Sequence, residues 1–176
     1  MAFIVLASNV LVNYPINDWL VWGAITYPFA FLVTDVVNRR HGAAAARRVV
    51  WVGFAIGVIA SSFVGPRVAL ASGTAFLAAQ LLDVQVFDAL RRRASSAGGA
   101  ARRWWVAPVV STSIGAVLDT ALFFSIAFAG SGLPWTQWAL GDLLVKWAVA
   151  LVALLPYRLL TGRESLGGEP PRVPSA

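Results

Sequence analysis

The sequence predicts an all-helical, polytopic membrane protein, a bundle of six transmembrane helices with both termini in the cytoplasm. Three observations carry that reading. Hydrophobic residues make up 59% of the 176 and charged residues 12%, with a mean hydropathy of +0.73, where an ordinary soluble domain has about 25% charged residues. Six apolar segments can be traced, at residues 2–13, 19–37, 49–64, 68–90, 104–128 and 138–157. The arginines, finally, gather between alternate segments: Arg39, Arg40, Arg47 and Arg48, then Arg91, Arg92, Arg93, Arg102 and Arg103, then Arg158, Arg163 and Arg172. These are 12 of the 14 basic residues, and the intervening connections carry only Arg67. Cytoplasmic loops collect Lys and Arg, so the pattern places both ends inside after six crossings. Six spans of about 20 residues consume about 120 positions, which leaves no room for a soluble catalytic domain.

The first segment is short for a hydrocarbon core of about 30 Å. It lacks the basic leader and small-x-small site of a secretory signal. A thin local bilayer, a partial span or a later start codon would each explain its length. Asn9 and Asn13 share one of its faces. The second segment contains Pro28, which has no N–H to give the carbonyl of Ala24, so a kink is predicted there. Asp35 and Asn38 stand three apart at its cytoplasmic end, where a hydrated helix-end network with Arg39 is the simpler reading and a solute site the other. The third segment is about as short as a span can be. The fourth places Gln80, Asp83 and Phe87 along one face, and the fifth places Thr112, Gly115 and Asp119 at i, i+3, i+7. In the sixth, Asp142 and Lys146 are i, i+4 with the acid first, the favourable order for an intrahelical ion pair. Tryptophans near the segment ends read as interfacial anchors. The two basic connections follow a similar plan, which either marks repeated helical hairpins or reflects shared Arg and Ala richness. Residues 1–160 thus form a single transmembrane domain, and the Gly/Pro/Ser-rich residues 161–176 are predicted to be a disordered cytoplasmic tail.

Several chemistries are excluded. There is no cysteine and one histidine, His41 in a basic stretch, so disulfides, thiolate or His-rich metal sites and His-based triads are ruled out. No cofactor or metal is expected. The net charge of +6 would suggest nucleic acid in a soluble chain, but here it sits in loops and reports topology, so no nucleic acid partner is expected. Aspartyl intramembrane proteolysis lacks its Gly-x-Gly-Asp motif, which leaves a non-enzymatic role.

Ionisable residues inside spans cost about 2.5–3.5 kcal/mol at the helix centre and usually face a cavity. Asp119 is the clearest case, 15 residues into the segment 104–128. For Gly115 the competing reading is close helix packing, since Ser111 and Gly115 form a small-xxx-small pair. The candidate site therefore combines Gln80, Asp83, Ser111, Thr112, Asp119, Thr120, Asn9 and Asp35. Aromatic faces are available from Phe29, Phe31, Phe76, Phe87, Phe123 and Phe124. The Asp142–Lys146 pair is read as structural or coupling. A carboxylate accepts two parallel N–H bonds from an amidine-like edge, and aromatic rings sandwich a flat solute. The implied partner, besides the lipid bilayer, is a small purine-like molecule.

Specific runs reinforce this. The stretch QLLDVQVF at 80–87, the WWVAP at 104–108, the STSIGAVLDT at 111–120 and the earlier ITYPFAFLVTD resemble the queuosine precursor transporter family, also called the vitamin uptake transporter family. The resemblance covers about residues 1–160. It implies a six-helix importer of the bacterial inner membrane that carries 7-deazaguanine precursors of queuosine, such as preQ0 and preQ1, for tRNA modification. It brings Gln80, Asp83, Asp119 and Thr120 into the solute path. Ala79 departs from the glycine common in the family at that place, and the connection between the third and fourth segments is short. A substrate-binding subunit served by a separate ATPase module and a non-catalytic assembly protein are the alternatives; a homo-oligomer is left open.

Overall fold

In a computed structural model of the chain, the residues described are 1, 3, 4, 7, 11, 15–17, 20–61, 66–96 and 104–162. Most of the first apolar segment, including Asn9 and Asn13, lies outside them, as do residues 163–176 of the expected tail.

A small antiparallel hairpin opens the described fold. β1 (Pro15–Asn17) pairs with β2 (Leu20–Val21), with Pro15 opposite Val21 and Asn17 opposite Leu20. The hairpin is not among the elements expected from the sequence. The chain then enters the short helix α1 (Trp22–Thr26), breaks at Tyr27 and Pro28, and resumes as α2 (Phe29–Ser61). The expected Pro28 kink is thus a full interruption. The N–H groups of Ala30 and Phe31 restart the helix on the carbonyls of Tyr27 and Pro28, at 2.9 and 3.1 Å. Three further helices follow: α3 (Pro66–Ser96), α4 (Val106–Phe128) and α5 (Trp135–Thr161).

The long helix α2 is not straight. Gly42 has φ 82° and ψ 170°, a backbone conformation outside the helical region that L side chains rarely adopt. Contacts with α3 show what this does. Before Gly42, Thr34 meets Gln80 and Asn38 meets the carbonyl of Val84, so the chain climbs α3 in the same direction. After Gly42 the order inverts: Gly53 lies against Phe76, and Phe54 and Val58 lie against Gly73. The chain has folded back on itself. The arginine-rich stretch around Gly42, expected as a loop, is therefore helical on both sides of a one-residue reversal. α3 likewise continues through Arg91, Arg92 and Arg93 to Ser96.

Among the described residues, four helices are long and apolar enough to cross a membrane: Ala24–Ile59, Pro66–Ser96, Val106–Phe128 and Trp135–Thr161. A straight 36-residue helix would extend about 54 Å, well past a hydrocarbon core of about 30 Å, which the reversal at Gly42 avoids. α3 is the hub, packed most extensively on α4 and then on α2, while α5 covers α4 and part of α2. The molecule is apolar outside and polar inside. Leu140, Leu144, Leu151, Leu155 and Leu159 are all more than 60% exposed on α5, whereas Thr34, Asp35, Asn38, Gln80, Asp83 and Ser111 are buried. That inversion suits a hydrocarbon solvent, which solvates leucine and forces polar groups inward.

Small residues let α3 and α4 approach. A Cβ on Gly115 would stand 2.7 Å from Phe31 Cε1 and 3.4 Å from both the Ala79 carbonyl oxygen and Asp83 Cβ. Gly115 thus joins α2, α3 and α4, the packing role the small-xxx-small spacing suggests.

Candidate functional site

The buried polar residues divide into two groups, one satisfied within itself and one not. The first joins α4 to α5. Lys146 Nζ donates to Asp119 Oδ2 at 2.7 Å, to Thr120 Oγ1 at 3.0 Å and to Asp142 Oδ2. All three ammonium protons therefore have acceptors. Thr120 Oγ1 donates to Asp142 Oδ2 at 2.8 Å, and the hydroxyl of Tyr27 reaches Asp119 Oδ1 at 3.2 Å. The Asp142–Lys146 pair expected within one helix is present, and Asp119 enlarges it into a bridge between helices. Both oxygens of Asp119 are occupied. Truncating one partner of a buried pair leaves an uncompensated charge, so such a network binds its helices together strongly even when it adds little net stability.

The second group lies one turn from Asp119 along α4. Asp83 is level with Gly115, four residues before Asp119 and hence about 6 Å away along the axis. Asp35 and Asp83 stand beside each other, with Ser111 next to both. Thr112 Oγ1 donates to Asp35 Oδ2 at 3.3 Å. Ser111 Oγ has the Pro108 carbonyl at 3.4 Å. Among the described residues, both oxygens of Asp83, Oδ1 of Asp35, Oδ1 of Asn38 and Nε2 of Gln80 are buried without a hydrogen-bond partner. Gln80 illustrates the shortage. Thr34 Oγ1 lies 2.8 Å from the Ala30 carbonyl and 2.7 Å from Gln80 Oε1, yet a hydroxyl has one proton. Whichever way the amide is turned, one of its polar atoms stays unmatched.

Unmatched buried polar atoms cost about 1–3 kcal/mol each, more when charged. Five in one cluster, on residues from α2 and α3, is a concentration that packing alone does not call for. A cavity of about 20 Å³ adjoins it, lined by Asp35, Pro108, Thr112, Ala153 and Tyr157 among others, enough for about one water. Small alanines of α5 form its far side.

The remaining expected residues are placed as follows. Asp35 and Asn38 are not at a hydrated helix end. They are 2% and 0% exposed, because α2 continues to Gly42 and α3 extends beyond them, and the partner of Asp35 is Thr112 rather than Arg39. Phe87 is fully buried and meets Tyr157 edge-on at 6.4 Å. Phe123 points to a different company: it packs with Phe124 and Phe128, and Phe128 with Trp138, toward the opposite end of α4 from Asp35. Phe31 and Phe76 are core residues, against Gly115 and Tyr27 respectively. Asp88 pairs with Arg91 at 3.3 Å and with Arg92, the local ion pair its spacing suggests. Asn9 lies outside the described residues.

Three participants were not picked out in the sequence: Tyr27, Thr34 and Tyr157. Tyr27 adjoins the Pro28 break, a signal that was available. Thr34 and Tyr157 are ordinary members of apolar runs whose partners come from other helices, and no local pattern marks them.

Comparison with known proteins bears on what this site serves. The family described as "Putative vitamin uptake transporter" matches residues 21–65 and 62–160. A "Probable queuosine precursor transporter" of Haemophilus influenzae is 34% identical, over 88% of this chain and 80% of the relative. The "Queuosine precursor transporter" of Escherichia coli K12 is 35% identical, over 87% and 79%. A "Probable queuosine precursor transporter" of Bacillus subtilis is 35% identical, over 77% and 68%. No solved structure matches the chain.

Proposed function

Because the chain belongs to the vitamin uptake transporter family, we propose that it is an importer of a queuosine precursor, with the Asp35–Asp83 cluster as the place where the solute is held. It is a multi-pass protein of the bacterial inner membrane. The observation that supports the site most is the set of three unpartnered carboxylate oxygens on Asp35 and Asp83. An acceptor-rich cluster needs a donor-rich ligand, and the N–H edge of a guanine-like base supplies adjacent donors in the fork that a carboxylate accepts. 7-Deazaguanines such as preQ0 and preQ1 carry that edge. Gln80, with one unmatched amide atom, is suited to fix the orientation of the ring. The small cavity between α5 and the α2–α4 pair supports an opening of the cluster on that side.

Asp119, in this reading, holds helices rather than solute. Its expected share in binding passes to Asp35, and Asp142 and Lys146 act with it as a rigid bridge.

The six-pass topology with cytoplasmic termini belongs to the same proposal. Its support is the reversal at Gly42, which divides one candidate span into two, together with the alternation of the arginine clusters. The remaining expected segment, residues 2–13, lies mostly outside the described residues.

The test is rescue of tRNA queuosine in a bacterial strain lacking both precursor synthesis and its own importer, supplied with preQ0 or preQ1. The wild-type chain restores the modification, and Asp83→Asn at equal membrane abundance does not. Failure of the wild-type chain to rescue, with the protein present in the membrane, refutes the assignment.

A further inference from the structure

A second and larger cavity lies at the arginine-rich end of the bundle, with a volume of about 310 Å³. That is the lower end of the range for small-molecule sites, about 300–1,000 Å³. Its lining includes Arg39, Arg91 and Arg93 together with Phe87, Trp104 and Tyr157. We infer that this cavity is a second binding site for the same flat heteroaromatic solute, an inner vestibule reached from the Asp35–Asp83 cluster past Phe87 and Tyr157. The inference rests on the reading of the protein as a base importer and extends it to a residue-level path.

Continuity is the first argument. Tyr157 lines both this cavity and the small one beside Asp35 and Thr112. Its contact with Phe87, edge-on with centroids 6.4 Å apart, therefore stands between them. The second argument is shape. Trp104 lies nearly parallel to Tyr157, with an interplanar angle of 14° and centroids 6.3 Å apart, and the Arg158 guanidinium lies 4.9 Å from the Trp104 ring centre. The rings lie against each other and against Arg158, so a flat base enters by parting them and stacking in their place, as aromatic faces take any base.

The third argument is hydrogen-bond polarity. The central cluster is dominated by acceptors, whereas the vestibule presents guanidinium donors. Arg91 is held through Asp88 and the Arg39 carbonyl, but its Nε is buried without a partner among the described residues. Asp88 is shared between Arg91 and Arg92, and among the described residues no carboxylate pairs with Arg39 or Arg93. Beside its N–H donors a guanine-like base carries the O6 carbonyl oxygen, an acceptor that a guanidinium can hold even where, as in a 7-deazaguanine, the ring N7 that completes the arginine pair with guanine is carbon. The two sites thus hold different atoms of one molecule, the N–H donors at the carboxylates and the carbonyl oxygen at the arginines.

The test is equilibrium binding of labelled preQ0 to the purified full chain in nanodiscs, once in neutral lipid and once with anionic lipid added. preQ0 is the probe because three guanidiniums repel the aminomethyl cation of preQ1. The expected result is two classes of site in both lipids. Asp83→Asn removes the tighter class and spares the weaker, while Trp104→Leu and the surface change Arg93→Gln each weaken the second class about tenfold or more and spare the first. A single class that neither Trp104→Leu nor Arg93→Gln alters overturns the vestibule and leaves the central site standing. Loss of the weaker class whenever anionic lipid is present assigns the cavity to a lipid phosphate and also overturns it. No binding by the wild-type chain at all overturns both readings.

Discussion

Asp83 and Asp119 look alike in the sequence, each an aspartate inside an apolar run, and the structure gives them opposite circumstances. Asp119 has Tyr27 on one oxygen and Lys146 on the other. Asp83 stands beside Asp35 and Ser111, and neither of its oxygens has a hydrogen-bond partner of good geometry among the described residues. Spacing exposed the Asp142–Lys146 pair, because i, i+4 neighbours on a helix must meet. It could not expose the link to Asp119, which depends on how α4 and α5 are brought together. Lys146 carries the consequence. Lys146→Met leaves two carboxylates facing each other without a cation, and breaking a buried pair in this way costs about 3–5 kcal/mol. Thermal melting in detergent reads this as a marked loss of Tm. Adding Asp119→Asn recovers part of it, since the two changes share one interaction. A Lys146→Met chain as stable as wild type would show that the network holds nothing together.

At the scale of elements, proline was legible and glycine was not. Pro28 lacks the N–H a helix needs, and the helix does stop there. Gly42 sits in HGAAAARR, where alanine favours helix and the arginines suggest a polar loop. Neither signal marks a one-residue reversal, because the positive φ that needs glycine is invisible in composition. Gly42→Ala must place a Cβ in the left-handed region at a cost of about 1–2 kcal/mol. No atom lies within 4 Å to clash, so the loss reports backbone strain alone. Gly115→Ala fails for the other reason. Its Cβ would meet Phe31 at 2.7 Å, and overpacking of this kind costs about 1–3 kcal/mol. Phe31→Leu in the same chain is expected to relieve it. Measured Tm values for the two singles and the double distinguish strain from contact; a Gly115→Ala chain indifferent to residue 31 would contradict the packing described.

Across the whole molecule, the inverted distribution of polarity was legible from composition, because a chain with so few charges has nowhere to place them but loops and interior. The break between the segments at 19–37 and 49–64 was legible from the charged residues between them, but the helix on both sides of Gly42 was not, since those charges read as a loop. The chain contains no cysteine, which makes topology easy to check. A single Ser131→Cys, in the connection between α4 and α5, is expected to react with a membrane-impermeant maleimide in intact spheroplasts. Ser95→Cys, near the end of α3 among the arginines, is expected to react only after lysis. Reversed labelling would invert the orientation proposed.

The account as a whole turns on a division of labour: an unsatisfied cluster that receives the solute and a satisfied network that holds the helices. One paired measurement addresses it, preQ0 binding and thermal stability of purified Asp83→Asn and Lys146→Met beside the wild-type chain. The account predicts that Asp83→Asn loses tight binding with its Tm unchanged or raised, because the variant replaces a buried carboxyl group that lacks a donor and stands beside a second one. Lys146→Met loses Tm while its folded fraction still binds. Full binding by Asp83→Asn, or loss of stability there in place of binding, would contradict it.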